Sequence, residues 1–401
     1  MERLHHLARA GLRPFRRGSS PEETVVGKSH VLVESGGNRA HPSSPGEICV
    51  FSKCRNESLR LPAFLAHYRG LGVSRFFVID NDSSDGTHDY LMGQSDVHVF
   101  RIIGGFLEAR SGTDWLNGLL GRFGVGAWCL TVDIDELLFY PGREHASLQL
   151  LTTHLDRQGS QALRCLLLDL YPAVPLRELS YQPGSDLIAA APFFDAGPYS
   201  QRQCRPCPGL LIRGGVRERL FYPEFRSRGL GTRLIDAAMN GIALRAPFLE
   251  DLPWITSLRR RTPPCLTKVP LVRWDATSQY LDCNHWVSEK RVATETGVLL
   301  HFKLLQDFHV RAVEEAVRGE YYHGAVEYRR YAEWIAKDAG TSLLQADSVR
   351  FEGTAQLVAL GLMHDTRSWI ALRTSPSAAS STDRDNVGKE PVAERRKTQT
   401  D

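Results

Sequence analysis

The sequence predicts an α/β protein, a mainly parallel sheet with helices on both faces, completed by a C-terminal helical portion. Three observations carry that prediction. Between residues 46 and 140, short apolar runs alternate with amphipathic stripes at the spacing of β-α-β units. Two of those runs stop abruptly in acidic, turn-forming residues, at Asp80 and at Asp133. Around residues 301–340 helical periodicity returns.

Taken in order, residues 1–45 are rich in Gly, Ser, Pro and Arg, lack periodicity, and read as a disordered basic leader. Residues 48–52 form the first predicted strand. Leu61, Phe64, Leu65 and Tyr68 then make a helical stripe within 57–71. Residues 76–79 are the second strand, 87–93 a helix, 97–103 the third strand and 114–123 a helix. Residues 127–132 are a buried fourth strand, and 163–170 another. Residues 171–230, rich in Pro, Gly and Arg, are expected to be irregular loops around a substrate cavity. Val317, Tyr321, Gly324, Tyr328, Tyr331 and Ile335 recur at helical steps, a packing face for the sheet or for a second subunit in a homodimer. Residues 347–363 suggest a last helix. The expected organisation is a leader (1–45), two halves of one α/β domain (46–145 and 146–305), C-terminal helices (306–372) and a disordered tail (373–401).

Composition narrows the class. A chain of 401 residues, 42% hydrophobic and 24% charged, can bury a substantial core. The net charge of +3 gives no global reason to expect a nucleic-acid partner. Eight cysteines are scattered, several in apolar runs, as in reduced core thiols of a cytoplasmic protein. Cys204 and Cys207 stand two residues apart, but zinc needs two further ligands, and only Cys265, Cys283 and His285 are available at irregular spacing. The first 17 residues hold five arginines and no long apolar run, neither a secretory signal nor a membrane anchor. At most, peripheral contact with the cytoplasmic face of a membrane is expected.

The densest chemical signal is the run Ala-Trp-Cys-Leu-Thr-Val-Asp-Ile-Asp-Glu at 127–136. Clustered carboxylates repel and cost desolvation energy unless something positive sits among them. A divalent cation carrying a diphosphate is one such partner; the plainer reading is an acid-rich helix N-terminus. Alternation along an extended segment would put Asp133 and Asp135 on one side and Ile134 in the core. The Asp80–Thr87 turn reads either as a cap of the following helix or as a nucleotide contact. Because ligands of parallel α/β sheets bind beyond the carboxyl ends of the strands, both acidic loops fall on the expected functional edge.

Phe76-Phe-Val-Ile-Asp-Asn-Asp-Ser-Ser-Asp-Gly-Thr87 resembles the nucleotide-binding segment of family 2 glycosyltransferases, and Val132-Asp-Ile-Asp-Glu-Leu137 resembles their metal-binding Asp-x-Asp. Lys53-Cys-Arg-Asn-Glu57 is similar to the family's opening, and Asn117-Gly-Leu to the helix that leads into Asp-x-Asp. Further on, Gly214-Gly-Val-Arg-Glu-Arg219, Lys268-Val-Pro-Leu-Val-Arg-Trp274, His285-Trp286 and Leu300-His-Phe-Lys303 resemble a bacterial branch. The resemblance implies a GT-A fold, with 46–145 binding a nucleoside-diphosphate-sugar (UDP-sugar favoured) and 146–305 a glycan or glycoconjugate acceptor. It also implies Mn²⁺ or Mg²⁺ at the diphosphate. Residue by residue, Asp80 and Asn81 would contact the base, Asp133 the ribose and metal, and Asp135 the metal. Asn117 would belong to the donor site. His301 would close the metal shell, with His285 as a rival. Arg217, Arg219 and Lys303 would neutralise the diphosphate. Glu218 would be the base of an inverting transfer, with Asp195 and Glu224 as competitors. Asn81 and Asp82 depart from the usual Asp and Gly, which leaves the base identity open. Two rivals stand beside this reading: an aspartate-nucleophile phosphatase, and a nucleotide- or glycan-binding protein of the same fold without turnover.

Overall fold

The computed structural model describes residues 23–26, 30–36, 39–44, 46–102, 106, 109–204, 209–226, 262–282, 284–320, 322–338, 340–366 and 369. The expected tail, Cys207 and Cys283 lie outside these residues. The N-terminal half contains β1 (Glu23–Val26), β2 (His30–Ser35), β3 (Ile48–Cys54), α1 (Leu61–Gly70), β4 (Arg75–Asp80), α2 (Thr87–Met92), β5 (Val97–Arg101), α3 (Thr113–Leu119) and β6 (Trp128–Thr131). It continues through β7 (Glu136–Phe139), α4 (Leu148–Arg157) and β8 (Ala162–Asp169). Next come β9 (Phe193–Asp195), β10 (Tyr199–Cys204), β11 (Gly209–Gly214), α5 (Gly215–Phe221), β12 (Thr267–Arg273), β13 (Tyr280–Asp282), β14 (Trp286–Val287) and β15 (Val292–His301). The chain then forms α6 (Phe308–Arg318), α7 (Tyr322–Asp338), β16 (Ser348–Arg350) and α8 (Thr354–Ala359).

Ten strands form one mixed sheet in the order β1-β2-β5-β4-β3-β6-β12-β8-β15-β7. The pairings make β1, β3, β4, β5, β6, β8 and β15 run one way and β2, β7 and β12 the other. The predominantly parallel α/β architecture is therefore present. Its parallel block is β5-β4-β3-β6, the stretch whose β-α-β spacing was legible.

Alternation along the central strands builds two cores. Ile48, Val50, Phe76 and Val78 face one layer, with Leu61, Phe64, Leu65 and Tyr68 of α1 packed on it. Their neighbours Cys49, Phe51, Phe77 and Ile79 face the other, under Trp115, Leu116 and Leu119 of α3. The Phe51 and Phe77 rings stack at 4.7 Å in that second layer. Period-2 strands buried on both faces read as continuous apolar runs, as these do. Burial pushes the thiols of Cys54 and Cys129 well above the usual range.

Four expectations change. Residues 23–26 and 30–35, expected as part of an unstructured leader, form an antiparallel pair that extends the sheet beyond β5, with Leu32 fully buried. Within 171–230, β10 and β11 make an antiparallel hairpin leading directly into α5. The aromatic face of α7 packs on neighbouring helices and not on the sheet: Tyr331 meets Phe221 of α5 at 4.4 Å and Phe308 of α6 at 5.2 Å. The last predicted helix is shortened to Thr354–Ala359, because 348–350 pair with β9 and Gly353 breaks the run at φ 128°. Among the described residues, no helix is long and apolar enough to cross a membrane.

One glycine tests how closely the layers meet. A Cβ on Gly297 of β15 would lie 2.7 Å from Cys165 Sγ and 2.9 Å from the Phe139 carbonyl oxygen. The carbonyl belongs to the adjacent strand and cannot yield. Gly297→Ala is expected to lower stability by about 1–3 kcal/mol, read as a lower urea midpoint; an unchanged midpoint would refute the close packing.

Candidate active site

The strand directions bring the chemistry to one edge. The carboxyl ends of β3, β4, β6, β8 and β15 share that edge with the first residues of β7 and β12. They deliver Lys53, Asn81, Asp133, Asp135, Asp169 and His301, joined by Glu136 and Lys268 from the strands that start there. In the ladder, His301 pairs with Glu136 on one side and Asp169 on the other. Three adjacent strands thus place an acid, an imidazole and an acid in a lateral row.

The imidazole links two carboxylates. His301 Nε2 lies 3.1 Å from Asp135 Oδ2, and its Nδ1 lies 2.5 Å from Asp169 Oδ1. Asp169 Oδ2 accepts a hydrogen bond from Arg217 Nε at 2.7 Å, and Arg217 Nη1 reaches Glu327 at 3.4 Å. Burial alone would raise the Asp135 carboxyl, but His301 beside it, with Arg311 and Arg60 beyond, holds it well below the usual carboxylate range. Asp169 is likewise pushed up by burial and brought down by Arg217 and His301, to about 2. Burial disfavours a charged His301, yet the two carboxylates raise its pKa overall.

Asp133 has different company. Its Oδ2 accepts from Lys268 Nζ at 2.7 Å and its Oδ1 from Lys53 Nζ at 3.2 Å. Lys268 also donates to Glu136 Oε1, while Glu136 Oε2 accepts from the Asp133 backbone N–H at 3.1 Å. Two lysines therefore offset the acids, the compensation that such a cluster requires. Burial pushes the Glu136 carboxyl up against the pull of Lys268. Residues 133–135 form a turn, not an extended strand, with Ile134 in the core as expected.

A cleft opens over this edge, lined by Lys53, Arg55, Glu57, Asn81, Phe106, Trp115, Asp133, Asp135, His301, Lys303, Arg311, Arg318 and Tyr328 among others. Its far wall is braced by Arg60, fully buried, which donates to the Phe302 carbonyl at 2.8 Å and to both oxygens of Asp307 at 2.6 and 2.7 Å. Arg311 forks onto Glu57 at 2.9 and 2.5 Å. Lys303 rests over Tyr328 and Tyr331, 4.9 and 5.3 Å from the ring centres. Among the described residues it has no carboxylate in ion-pair range, so its charge is available to the cleft.

Asp135, Glu136 and His301 offer ligand atoms within 4.8 Å of one another. Glu136 already has a partner on each oxygen, whereas Asp135 and His301 both line the cleft. This donor set suits a divalent cation, and an imidazole with a carboxylate favours Mn²⁺ over Mg²⁺. Asp133, with its two lysines, is set apart from that ligand cluster. His285, the rival, instead holds its Nδ1 2.6 Å from the Thr267 carbonyl oxygen.

Other expected contacts are placed elsewhere. Asp80 is fully buried and closes its own turn, accepting from Ser83 N at 3.1 Å and facing His88 Nδ1 at 3.0 Å; Asn81 beside it does line the cleft. The Asn117 amide pins β13, donating to the Tyr280 carbonyl at 2.9 Å and accepting from its N–H at 2.8 Å. Arg217 is spent on Asp169, and Arg219 on Asp195 at 2.8 Å, so neither faces the cleft. Glu218 is 4% exposed within α5 and outside the lining of this cleft. Asp195 belongs to a buried node with Arg219 and Tyr171, and Glu224 pairs with Arg330 at 2.8 Å. Lys53, Lys268, Asp169, Arg60 and Arg311 were not anticipated. The lone lysine in the apolar run at 267–272 was the available signal for Lys268.

The class of protein that this edge resembles is supported by sequence comparison. Two proteins named for glycosyltransferase family 92 are similar to this chain. One, from Oryza sativa subsp. japonica, is 29% identical over 99 residues, 24% of this chain and 17% of that protein. The other, from Ricinus communis, is 23% identical over 140 residues, 34% of this chain and 22% of that protein. The chain thus spans about a fifth of the length of these relatives. Both carry the enzyme class expected from the motifs, glycosyltransferase, but of family 92 and from plants, where family 2 and a bacterial branch were expected. No family model matches the chain. A solved structure named as a glucose-1-phosphate thymidylyltransferase from Bacillus anthracis, in complex with a sucrose, is 8% identical and covers 35% of this chain and 64% of its own, with a TM-score of 0.22. That score is too low to carry an argument.

Proposed function

We propose that this chain is a metal-dependent glycosyltransferase that moves a sugar from a nucleoside-diphosphate-sugar to a glycan or glycoconjugate hydroxyl. The observation that supports it best is the Asp135–His301 pair, set at the carboxyl edge of the sheet in a cleft that also holds the available cation Lys303. The similarity to family 92 glycosyltransferases points to the same class of reaction.

In this reading Asp135 and His301 hold the cation, which when bound offsets charge on the departing diphosphate. Lys303, half-buried against two tyrosines, supplies a fixed positive charge for the same phosphates. Asn81 presents its amide to the donor, and a UDP-sugar is the favoured one. The acceptor oxygen forms a bond to the anomeric carbon as the carbon–phosphate-oxygen bond breaks, inverting that centre. The hydroxyl proton passes to a carboxylate. Among the described residues the carboxylates that line the cleft are Glu57, Asp133 and Asp135. Glu57 is bound by Arg311, Asp135 would be committed to the metal, and Asp133, although its side chain is 34% exposed, carries a lysine on each oxygen, so none of the three is assigned as the base.

Calorimetric titration of UDP and GDP, with and without Mn²⁺, tests the reading. Metal-dependent binding is expected in the wild type, and Asp135→Ala should weaken it at least about 100-fold, since it removes a metal ligand and leaves His301 misplaced. Absence of nucleotide binding under every metal condition would sink the proposal. Slow hydrolysis of a UDP-sugar by the wild type would separate an enzyme from a binding protein of the same fold.

A further inference from the structure

We propose that Asp169 is a positioning residue for the metal site: it holds the His301 ring with Nδ1–H toward the carboxylate, so that the Nε2 lone pair faces the cation, and Arg217 anchors it. This rests on the metal-dependent reading above. An imidazole that binds a metal through one nitrogen commonly donates its other N–H to a carboxylate, which fixes both tautomer and orientation.

The geometry here is over-determined. Asp169 and His301 are register partners on the adjacent parallel strands β8 and β15, so the backbone ladder sets their approach. Asp169 is 5% exposed, and its two oxygens are divided between His301 Nδ1 at 2.5 Å and Arg217 Nε at 2.7 Å. The remaining nitrogen, Nε2, is the one that looks toward Asp135 and the cleft. Arg217 stands at the third position of α5 inside Gly214-Gly-Val-Arg, and Glu327 of α7 holds it from behind. This assigns Arg217 a task that differs from a diphosphate contact: it acts through Asp169 and His301 and touches no substrate.

A control lies on the same helix. Arg219, two residues further on, forms a similar buried pair with Asp195 at 2.8 Å, and that pair has no contact with His301. Removing charge from either pair damages the packing of α5; only one of them reaches the metal site.

The experiment is Mn²⁺ binding to the full-length protein followed by electron paramagnetic resonance, for the wild type, Asp169→Asn, Asp169→Glu and Asp195→Asn, with Tm measured for each. An amide at 169 can present its NH₂ group to Nδ1, which turns Nε2 into a donor and blocks the metal. Asp169→Asn is expected to weaken Mn²⁺ about 10–100-fold and to reduce the ¹⁴N coupling of the bound ion. Asp169→Glu, which keeps an ionised acceptor, is expected to recover most of that loss. Asp195→Asn is expected to lower Tm while leaving Mn²⁺ affinity within about twofold. If Asp169→Asn does not fold, Arg217→Lys, which keeps the charge but loses the planar fork, carries the test with a smaller expected loss. Wild-type affinity in a folded Asp169→Asn, or equal losses in the 169 and 195 variants, would overturn the positioning role. A wild type that binds no Mn²⁺ would overturn the metal-dependent reading, and this role with it.

Discussion

Lys268→Met is expected to destabilise the protein by about 3 kcal/mol, because it removes the cation between two acids and leaves the buried Glu136 carboxylate without its partner, while Asp133 keeps Lys53. Lys268 is 3% exposed and bonds Asp133 and Glu136 at once. The acids raise its pKa above the ordinary lysine range against the downward pull of burial, so it stays charged throughout the neutral region. The urea midpoint should fall sharply. Pairing the change with Glu136→Gln should recover part of the loss, since the Glu136 carboxylate is the more buried of the two partners. A single variant as stable as the wild type would show that the acids do not depend on this lysine.

The second large effect is expected from Arg60. Its guanidinium is fully buried and is satisfied by the Phe302 carbonyl and by both oxygens of Asp307. Arg60→Met discards these bonds and leaves Asp307 with only the longer contact to Arg311 at 3.6 Å, a loss of about 3–5 kcal/mol. The consequence reaches the cleft, since Phe302 lies between His301 and Lys303 and its N–H is bonded to the Asp135 carbonyl at 2.8 Å. Metal-dependent UDP binding should therefore weaken about tenfold in the fraction that remains folded. Unaltered nucleotide affinity would mean that the 301–303 segment keeps its place without this brace.

These two residues also show what the sequence concealed. The strands and helices of 46–140 were legible because burial on both faces leaves continuous apolar runs, and because Asp, Asn and Gly mark where they end. Asp135 and His301 could be found from local context. Their supports could not. Asp169 meets His301 across 132 residues of chain, and Lys268 meets Asp133 across 135, distances over which no spacing rule operates. The partners of Asn117 and Arg219 were hidden for the same reason: an amide or guanidinium in a promising motif looks identical whether it faces a ligand or, as here, the backbone of β13 and the Asp195 carboxylate. Glu136 was noted as a third acid, but only the β7–β15 ladder shows that it stands beside His301. Strands 23–26 and 30–35 were hidden by the polar composition around them.

The long reach of the Lys268 bonds has a bearing on biosynthesis. Lys53 is made before the acidic loop, but Asp133, Asp135 and Glu136 leave the ribosome well before Lys268 and His301. With 135 residues between Asp133 and Lys268, and translation at about 5–20 residues per second, the delay is roughly 7–27 s. During that interval β6 has its neighbour β3, but its other edge still waits for β12. A nascent chain arrested before residue 267 would carry an acidic loop with Lys53 but without Lys268, beside an unpaired apolar strand edge, a form suited to chaperone capture. Late closure of the sheet by β12 supplies the missing strand and the missing charge in one event.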